Sequence, residues 1–524
     1  MGRYVNPGCA GFERVLRGRY VDKTGLVARV SAVLGTPDGL ICVSRPRRFG
    51  KSFAAESLVA YYSCGCDSRA LFEGLEVSRD LSFDEHLNAY NVVRLDMTDI
   101  VHQAGSASVE KRVSELVVSE LQELLPELGK RATLSDALYE AARLTGRKFI
   151  FVVDEWDAIF RVDADDATAQ RAYVDFLRSL FKNASFTSEV VAGAYLTGIL
   201  PIKKYGTQSA LNDFREYTMI SPGTFAPYVG FTEGEVRSLC DATGMNFDEV
   251  KRWYDGYELP NVGPVYAPGS VMRACSERSV GSYWSSSETF ESLRSYIDMD
   301  FDGLQGKIAR MVAGADELVN TLGFQNDMTS VSGADDVLTL LTHLGYLAYD
   351  GTSQTVRVPN EEVRREFALA LREGGHPRLA RMVRESDDLL SATIAGDEEA
   401  VAQGVARAHD SAVEPDWYND EQALRFAVKL AFLTSIDRFA RIEELPSGHG
   451  RADIVYLPRQ RSMVPAMIVE LKWDREPETA LAQVRERNYP AVLHDWGGPV
   501  LLVGITYDSK TKEHTCRIER MRKE

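Results

Sequence analysis

The chain has 524 residues, 44% of them apolar and 26% charged, with a formal net charge of −17 at pH 7. That length exceeds a single core and predicts roughly two to four domains. The composition is that of an ordinary globular protein, and the acidic balance argues against a protein that coats nucleic acid. The start, MGRYVNPG, has no apolar leader core, and no run approaches the length of a membrane span, so neither a signal peptide nor a spanning helix is expected. Seven cysteines without a C-x-x-C spacing (Cys64 and Cys66 form only C-x-C) argue against a zinc finger and a disulfide framework, and a reducing cytoplasm is the simple expectation. Eight dispersed histidines without an H-x-x-x-H or H-x-H pair argue against a histidine-built zinc site.

Residues 40–52 read LICVSRPRRFGKS, an apolar run, a basic loop, then GKS and a helix-compatible stretch. That is the order of a phosphate-binding loop, in which backbone N–H groups and a helix N-terminus hold phosphate oxygens. Arg47, Arg48, Phe49 and Gly50 would form the loop, Lys51 would reach the β and γ phosphates, and the Ser52 hydroxyl would bind Mg²⁺. Arg45 stands where the strict pattern has glycine, so the regular loop shape is not assured.

Further along, NVVRLDM, FIFVVDE and VVAGAYLTGI alternate with helical patterns such as VEKRVSELVVSELQELL at 109–125. The alternation predicts a parallel sheet flanked by helices, with its ligand edge at the strands' C-terminal ends. FIFVVDEWD closes on Asp154, for the metal shell, and Glu155, to position or activate the attacking water. A strand-end acid is equally ordinary as a helix start, but the GKS loop shifts the balance toward nucleotide chemistry. Thr197 ends the next strand, where it would sense the γ phosphate or cap a helix.

From about Phe231 the texture becomes helical, with RWYDGY reading as a packed aromatic elbow. Residues 334–363 predict a helix, a turn and a small hairpin, a winged-helix-like arrangement. Residues 385–420 are polar, helical and rich in acids. These shifts divide the chain into 1–230, 231–400 and 401–524.

Near the C-terminus the chain reads GRADIV and then MIVELKW. In a strand Glu470 and Lys472 point one way and Leu471 the other. If that strand pairs with the one opened by Asp453, two carboxylates and one ammonium converge, a set able to hold Mg²⁺ beside a scissile phosphate. E-x-K alone usually marks a solvated face. Here an acid precedes it across a Gly-containing turn (SGHGRAD), the strand is otherwise apolar, and a helical pattern follows. Residues 401–524 hold 18 Lys and Arg against 19 Asp and Glu, so almost all the negative charge lies upstream. The basic stretch Lys510, Lys512, Arg517, Arg520, Arg522 and Lys523 would contact a phosphate backbone or, slightly favoured, form a solvated tail.

Taken in order, YVDKTGLVARV, ICVSRPRRFGKS, LFEGL, FVVDEWD, YLTGI, FTEGEV, RWYDGY, VYAPGSV, HLGYL and VPNEEV, then GRADIV, IVELKW and a helix with Gln483 and Tyr489, resemble a bacterial family of predicted AAA-type ATPases fused to a C-terminal PD-(D/E)XK nuclease-like domain. The resemblance runs from about Tyr20 to about Tyr489. It implies an α/β chain: an N-terminal P-loop parallel sheet, a middle helical, winged-helix-like region, and a C-terminal restriction-endonuclease-like domain. RPRRFGKS, without the first glycine, is usual in that family, and Trp156 replaces a usual tyrosine. The resemblance adds Gln483 as a site residue and an upstream metal acid, for which Glu444 is the candidate and Glu443 and Glu421 are rivals.

The expected activity is an ATP-regulated, Mg²⁺-dependent nuclease acting on nucleic acid, with DNA the leading substrate. One rival is an ATP-driven switch whose nuclease-like fold only binds nucleic acid or a protein. Another is a live nuclease whose nucleotide domain does not turn over. AAA-type ATPases often form rings, which makes a homo-oligomer an open expectation, although no arginine finger stands out.

Overall fold

A computed structural model of the chain describes residues 2–129, 133–202, 204–205, 208–209, 211–284, 289–298, 301–325, 331–373, 377–412, 421–447, 450–459, 464–475, 479, 481, 493 and 496–521. The chain divides into two compact units, Met1–Gly281 with Leu318–Asn360, and Ser282–Glu317 with Glu361–Glu524.

The first unit is built on a five-stranded, all-parallel sheet of β1 (Leu40–Ser44), β2 (Asn91–Asp96), β3 (Phe149–Asp154), β4 (Val191–Gly198) and β5 (Arg215–Tyr217). The strands lie in the order β2-β3-β4-β1-β5. Every residue of β1, β3 and β4 is buried, which is why these segments read as unbroken apolar runs rather than alternating ones. β5 is exposed at the edge. Helix α1 (Lys51–Tyr62) follows β1 and packs on the sheet. The predicted helix at 109–125 is present as Val109–Leu124, its Val109, Val113, Val117 and Leu121 stripe facing the core.

β1 lies between β4 and β5, so the chain leaves the β1 end on one side of a neighbour that arrives much later in sequence. In parallel sheets ligands bind beyond the strands' C-terminal ends, here those of β1, β3 and β4.

The same unit takes in part of the helical middle. The elbow predicted at RWYDGY is packed: Trp253, Tyr254 and Tyr257 are buried, and the Tyr257 hydroxyl donates to Gly345 O at 2.5 Å. Residues 334–363 form helix Ala334–Leu344 and a hairpin of Ala348–Asp350 with Thr355–Arg357. The segment 231–400 is thus shared, with 282–317 and 361–400 folding into the second unit.

In the second unit a mixed sheet runs β6-β7-β8-β9-β10, comprising Phe439–Ser447, Gly450–Pro458, Ala466–Trp473, Val500–Asp508 and Glu513–Met521. β8 and β9 are parallel and the other neighbours antiparallel. Helix α3 (Glu421–Ala431) packs against β8, with Leu424 and Val428 in one core with Val469 and Leu471. In the basic C-terminal stretch Lys510 and Lys512 lie in the turn before edge strand β10, while Arg517 and Arg520 belong to β10, where Arg517 Nη1 pairs with Glu398 Oε2 at 2.6 Å. Arg522 and Lys523 lie outside the described residues.

Candidate functional sites

The loop between β1 and α1 explains how arginine replaces glycine at position 45. Arg45 N–H donates to Gly198 O at 3.0 Å, extending the β1–β4 ladder by one rung, so its backbone is extended and has no need of glycine. The chain turns later, at Arg48 (φ +69°) and Gly50 (φ +89°). Arg48 is fixed from behind, its carbonyl accepting Gly269 N–H at 3.0 Å. A Cβ on Gly269 would lie 2.7 Å from Arg48 Cβ, so only glycine allows this approach. Phe49 is buried against Tyr257, ring centroids 5.4 Å apart, which anchors the loop and leaves its backbone to face outward chemistry.

The Arg45 side chain is wholly buried. Its Nη1 donates to Ser44 O (3.0 Å) and Tyr217 O (3.2 Å), tying the loop to β5, while Nε and Nη2 have no partner. Burial pushes its guanidinium down to about 10. α1 starts at Gly50 with no side-chain cap, so its first-turn N–H groups are unclaimed by any capping side chain. Lys51 is buried, its Nζ 3.1 Å from Pro46 O and 3.6 Å from Glu155 Oε1.

Asp154 ends β3 and is 3% exposed. Burial pushes its carboxyl up to about 6, against the opposing pull of the Ser52 hydrogen bond and Lys51. Glu155 sits at φ +50°, a left-handed backbone rare for a side chain of its size, and its carboxylate bonds Arg161 of the short helix α2 (Ala158–Val162). Thr197 is wholly buried, and its hydroxyl has no hydrogen-bond partner, so it caps nothing. Lys51, Ser52, Asp154 and Glu155 thus meet, and Thr197 ends the strand between them.

In the second unit, the register Ile454↔Val469 sets Asp453 and Glu470 at the same level of adjacent strands. Asp453 Oδ2 accepts Leu471 N–H at 2.9 Å, and its Oδ1 accepts Arg425 Nη2 from α3 at 2.6 Å. Lys472 Nζ lies 3.1 Å from Glu470 Oε1 and donates to Leu471 O at 3.0 Å. Asp453, Glu470 and Lys472 are all under a tenth exposed, and Leu471 points into the core as strand alternation requires. Asp453 belongs to β7 itself rather than to the turn before it.

The donor set fits a divalent cation in kind: two hard carboxylate oxygen ligands, each now compensated by a cation. Among the described residues no group of three His, Cys, Asp or Glu is arranged to hold a metal. Of the candidate upstream acids, Glu444 belongs to β6, but its side chain lies outside what is described, as do Gln483, Tyr489 and His449. Glu443 is engaged elsewhere. Burial alone would raise its carboxyl, but Arg441, Lys429 and Arg364 hold it below the usual range. Its oxygens lie 3.1 Å from Lys429 and 3.2 Å from Arg441.

Three features escaped the sequence. Asp157 and Arg161 form a pair at helical i, i+4 spacing, a signal that was available. Arg425 reaches Asp453 across 28 positions, which no local pattern announces. His409 and His514 stand 2.7 Å apart across 105 positions, brought together where the helix Glu398–Ala412 packs on β10.

Comparison with known proteins agrees with this geometry. Residues 8–207 match the family model described as predicted AAA-ATPase, and residues 420–516 match that of the PD-(D/E)XK nuclease superfamily. The chain joins an AAA-ATPase-like segment to a PD-(D/E)XK-like one. Over 512 residues it is 24% identical to an uncharacterised protein in the vnfD 5′ region of Azotobacter chroococcum mcd 1, spanning 94% of this chain and 93% of that one. Among solved structures, a Walker-type ATPase of Pyrococcus abyssi aligns at TM-score 0.34 and 12% identity, over 66% of this chain and 94% of that one. The Aeropyrum pernix ORC1 protein in complex with DNA aligns at TM-score 0.24 and 14% identity, over 73% and 100% respectively. Among the described residues no helix is long and apolar enough to cross a membrane.

Proposed function

We propose that the chain is a divalent-metal nuclease acting on DNA, gated by ATP bound in its first unit. The observation that carries the reading is the convergence of Asp453, Glu470 and Lys472 at the level of one rung of β7 and β8. Magnesium, when bound, supplies polarisation of the scissile phosphate and a more acidic water. Asp453 and Glu470 would hold it, with Glu444 assisting and Gln483 lining the site. Arg425 and Lys472, displaced from their carboxylates, would then face phosphate oxygens. Lys472 would sit beside the attacking water.

In the first unit the N–H groups at the start of α1, Arg47, Arg48 and Lys51 would cradle the triphosphate. Ser52 and Asp154 would hold its Mg²⁺, Glu155 would orient the water, and Thr197 would report on the γ phosphate. The vacant Thr197 hydroxyl and the uncapped helix start support that assignment. A cytoplasmic location and self-assembly into a ring belong to the same reading.

A second reading draws on the same ion pairs. Asp453 and Glu470 each already have a cation, as in a purely structural polar cluster, which favours an ATP-driven switch whose second unit only binds. Incubation of the purified protein with single- and double-stranded DNA and RNA, in Mg²⁺ or EDTA, with and without ATP, separates the two. The nuclease reading predicts DNA cleavage that requires Mg²⁺ and changes with ATP. Intact substrates in every arm would favour the switch.

A further inference from the structure

We propose that Arg161 is a positioning residue for ATP hydrolysis: braced by Asp157, it holds the Glu155 carboxylate in place once Lys51 has turned to phosphate. The inference rests on the nucleotide reading of the first unit given above.

Glu155 has two cations around it. Lys51 Nζ is 3.6 Å from Oε1, and Arg161 Nη2 bonds Oε2. The two differ in what else holds them. Among the described residues the ammonium of Lys51 otherwise donates to Pro46 O, and a triphosphate offers it stronger, charge-assisted acceptors. Bound nucleotide would therefore draw Lys51 away and leave Glu155 with one partner.

Arg161 is restrained from following. Its Nε lies 3.2 Å from Asp157 Oδ2, and the two side chains are 15% and 0% exposed. Exposed ion pairs at this spacing count for little, but this one is screened from water on both sides. Asp157 is itself pinned, because Oδ2 accepts Ile199 N–H (3.1 Å) and Leu200 N–H (2.8 Å) just beyond the end of β4. Gly198 makes room for the contact, since a Cβ there would lie 2.6 Å from Asp157 Oδ1. Trp156 N–H adds a bond to Thr197 O at 2.9 Å. Glu155, Arg161, Asp157 and the segment following Thr197 therefore form one connected unit, and the residue that orients water is locked to the strand end that would sense the γ phosphate. A planar guanidinium spans two carboxylates at once, which a lysine ammonium on a flexible stem does less well.

The test compares wild type, R161M, R161K, E155Q and E155Q/R161M for Mg²⁺-dependent ATP hydrolysis and, separately, for equilibrium ATP affinity. R161M is expected to lower kcat by about tenfold or more while ATP affinity stays within about threefold, and R161K to recover part of kcat. E155Q and E155Q/R161M are expected to be equally impaired, because residues that act as a unit are not additive. If R161M does not fold, R161K carries the test with a smaller loss of kcat at unchanged affinity. Wild-type kcat in R161M, losses that multiply in the double variant, or an affinity loss matching the kcat loss would each overturn the inference. A wild-type chain that binds no ATP would overturn the nucleotide reading itself, a result distinct from a chain that binds ATP and is indifferent to Arg161.

Discussion

The two sites settle their charges in opposite ways. Near the ends of β1 and β4, among the described residues, the buried Thr197 hydroxyl and two nitrogens of Arg45 have no partner, and the start of α1 has no side-chain cap. At β7 and β8 both carboxylates are already compensated, Asp453 by Arg425 and Glu470 by Lys472. A buried donor without a partner is costly, and such groups persist where a ligand completes them. On the proposed function the first site would take an anion that adds bonds. On the same reading the second would exchange partners, with a metal taking the carboxylates and the freed cations turning to phosphate.

Lys51→Met strikes the first site hardest. It removes a charge-assisted contact worth about 1.5–3 kcal/mol, so ATP affinity is expected to fall about ten- to a hundredfold, read by equilibrium titration. A fall of less than about threefold would remove Lys51 from phosphate binding. In the second site the partner rule predicts a stability difference between two replacements. Asp453→Ala leaves Arg425 without its carboxylate and Leu471 N–H without an acceptor, which costs about 2–3 kcal/mol after allowing for partial exposure of Arg425. Asp453→Asn keeps an acceptor for Leu471 N–H and should lose distinctly less in chemical denaturation. Equal losses would show that the backbone bond is immaterial.

Thr197→Val tests vacancy directly. The hydroxyl satisfies nothing in the folded chain, so stability should move by no more than about 0.5 kcal/mol, whereas ATP hydrolysis should fall about tenfold. A large loss of stability would mean that the hydroxyl is already used.

The smallest effect concerns His409 and His514. Burial holds both rings down at about 4, against an ordinary 6.5. Between about pH 6.5 and 4 the unfolded chain takes up protons that the folded chain refuses, so stability drops as the pH is lowered through that window and is unaffected above it. Urea midpoints at pH 7.5 and 5.0 should differ for wild type and differ less in His514→Gln, where burial still holds His409 down. A pH slope unchanged by the substitution would assign it to other groups.

Much of the first unit was legible because its strands are buried on both faces and read as continuous apolar runs, two of them reaching Asp154 and Thr197, with Lys51 opening the helix after β1. Strand alternation put Glu470 and Lys472 on one face, and the acid across the SGHGRAD turn with the otherwise apolar strand singled them out. What stayed hidden is what tertiary pairing creates. The extended backbone of Arg45 depends on a rung to Gly198, and the engagement of Glu443 depends on Lys429 and Arg441. The winged-helix-like segment was read correctly as helix and hairpin, but its membership in the first unit follows from contacts such as Tyr257 to Gly345, which no local pattern encodes.

On the proposed function Asp453 and Glu470 serve DNA cleavage while ATP binds in the first unit. The most direct measurement scores Asp453→Asn and Lys51→Met side by side for Mg²⁺-dependent DNA cleavage and for ATP affinity. The account predicts that Asp453→Asn abolishes cleavage with ATP affinity intact, and that Lys51→Met loses ATP affinity with Asp453 and Glu470 unaltered. Cleavage by Asp453→Asn at the wild-type rate would contradict it.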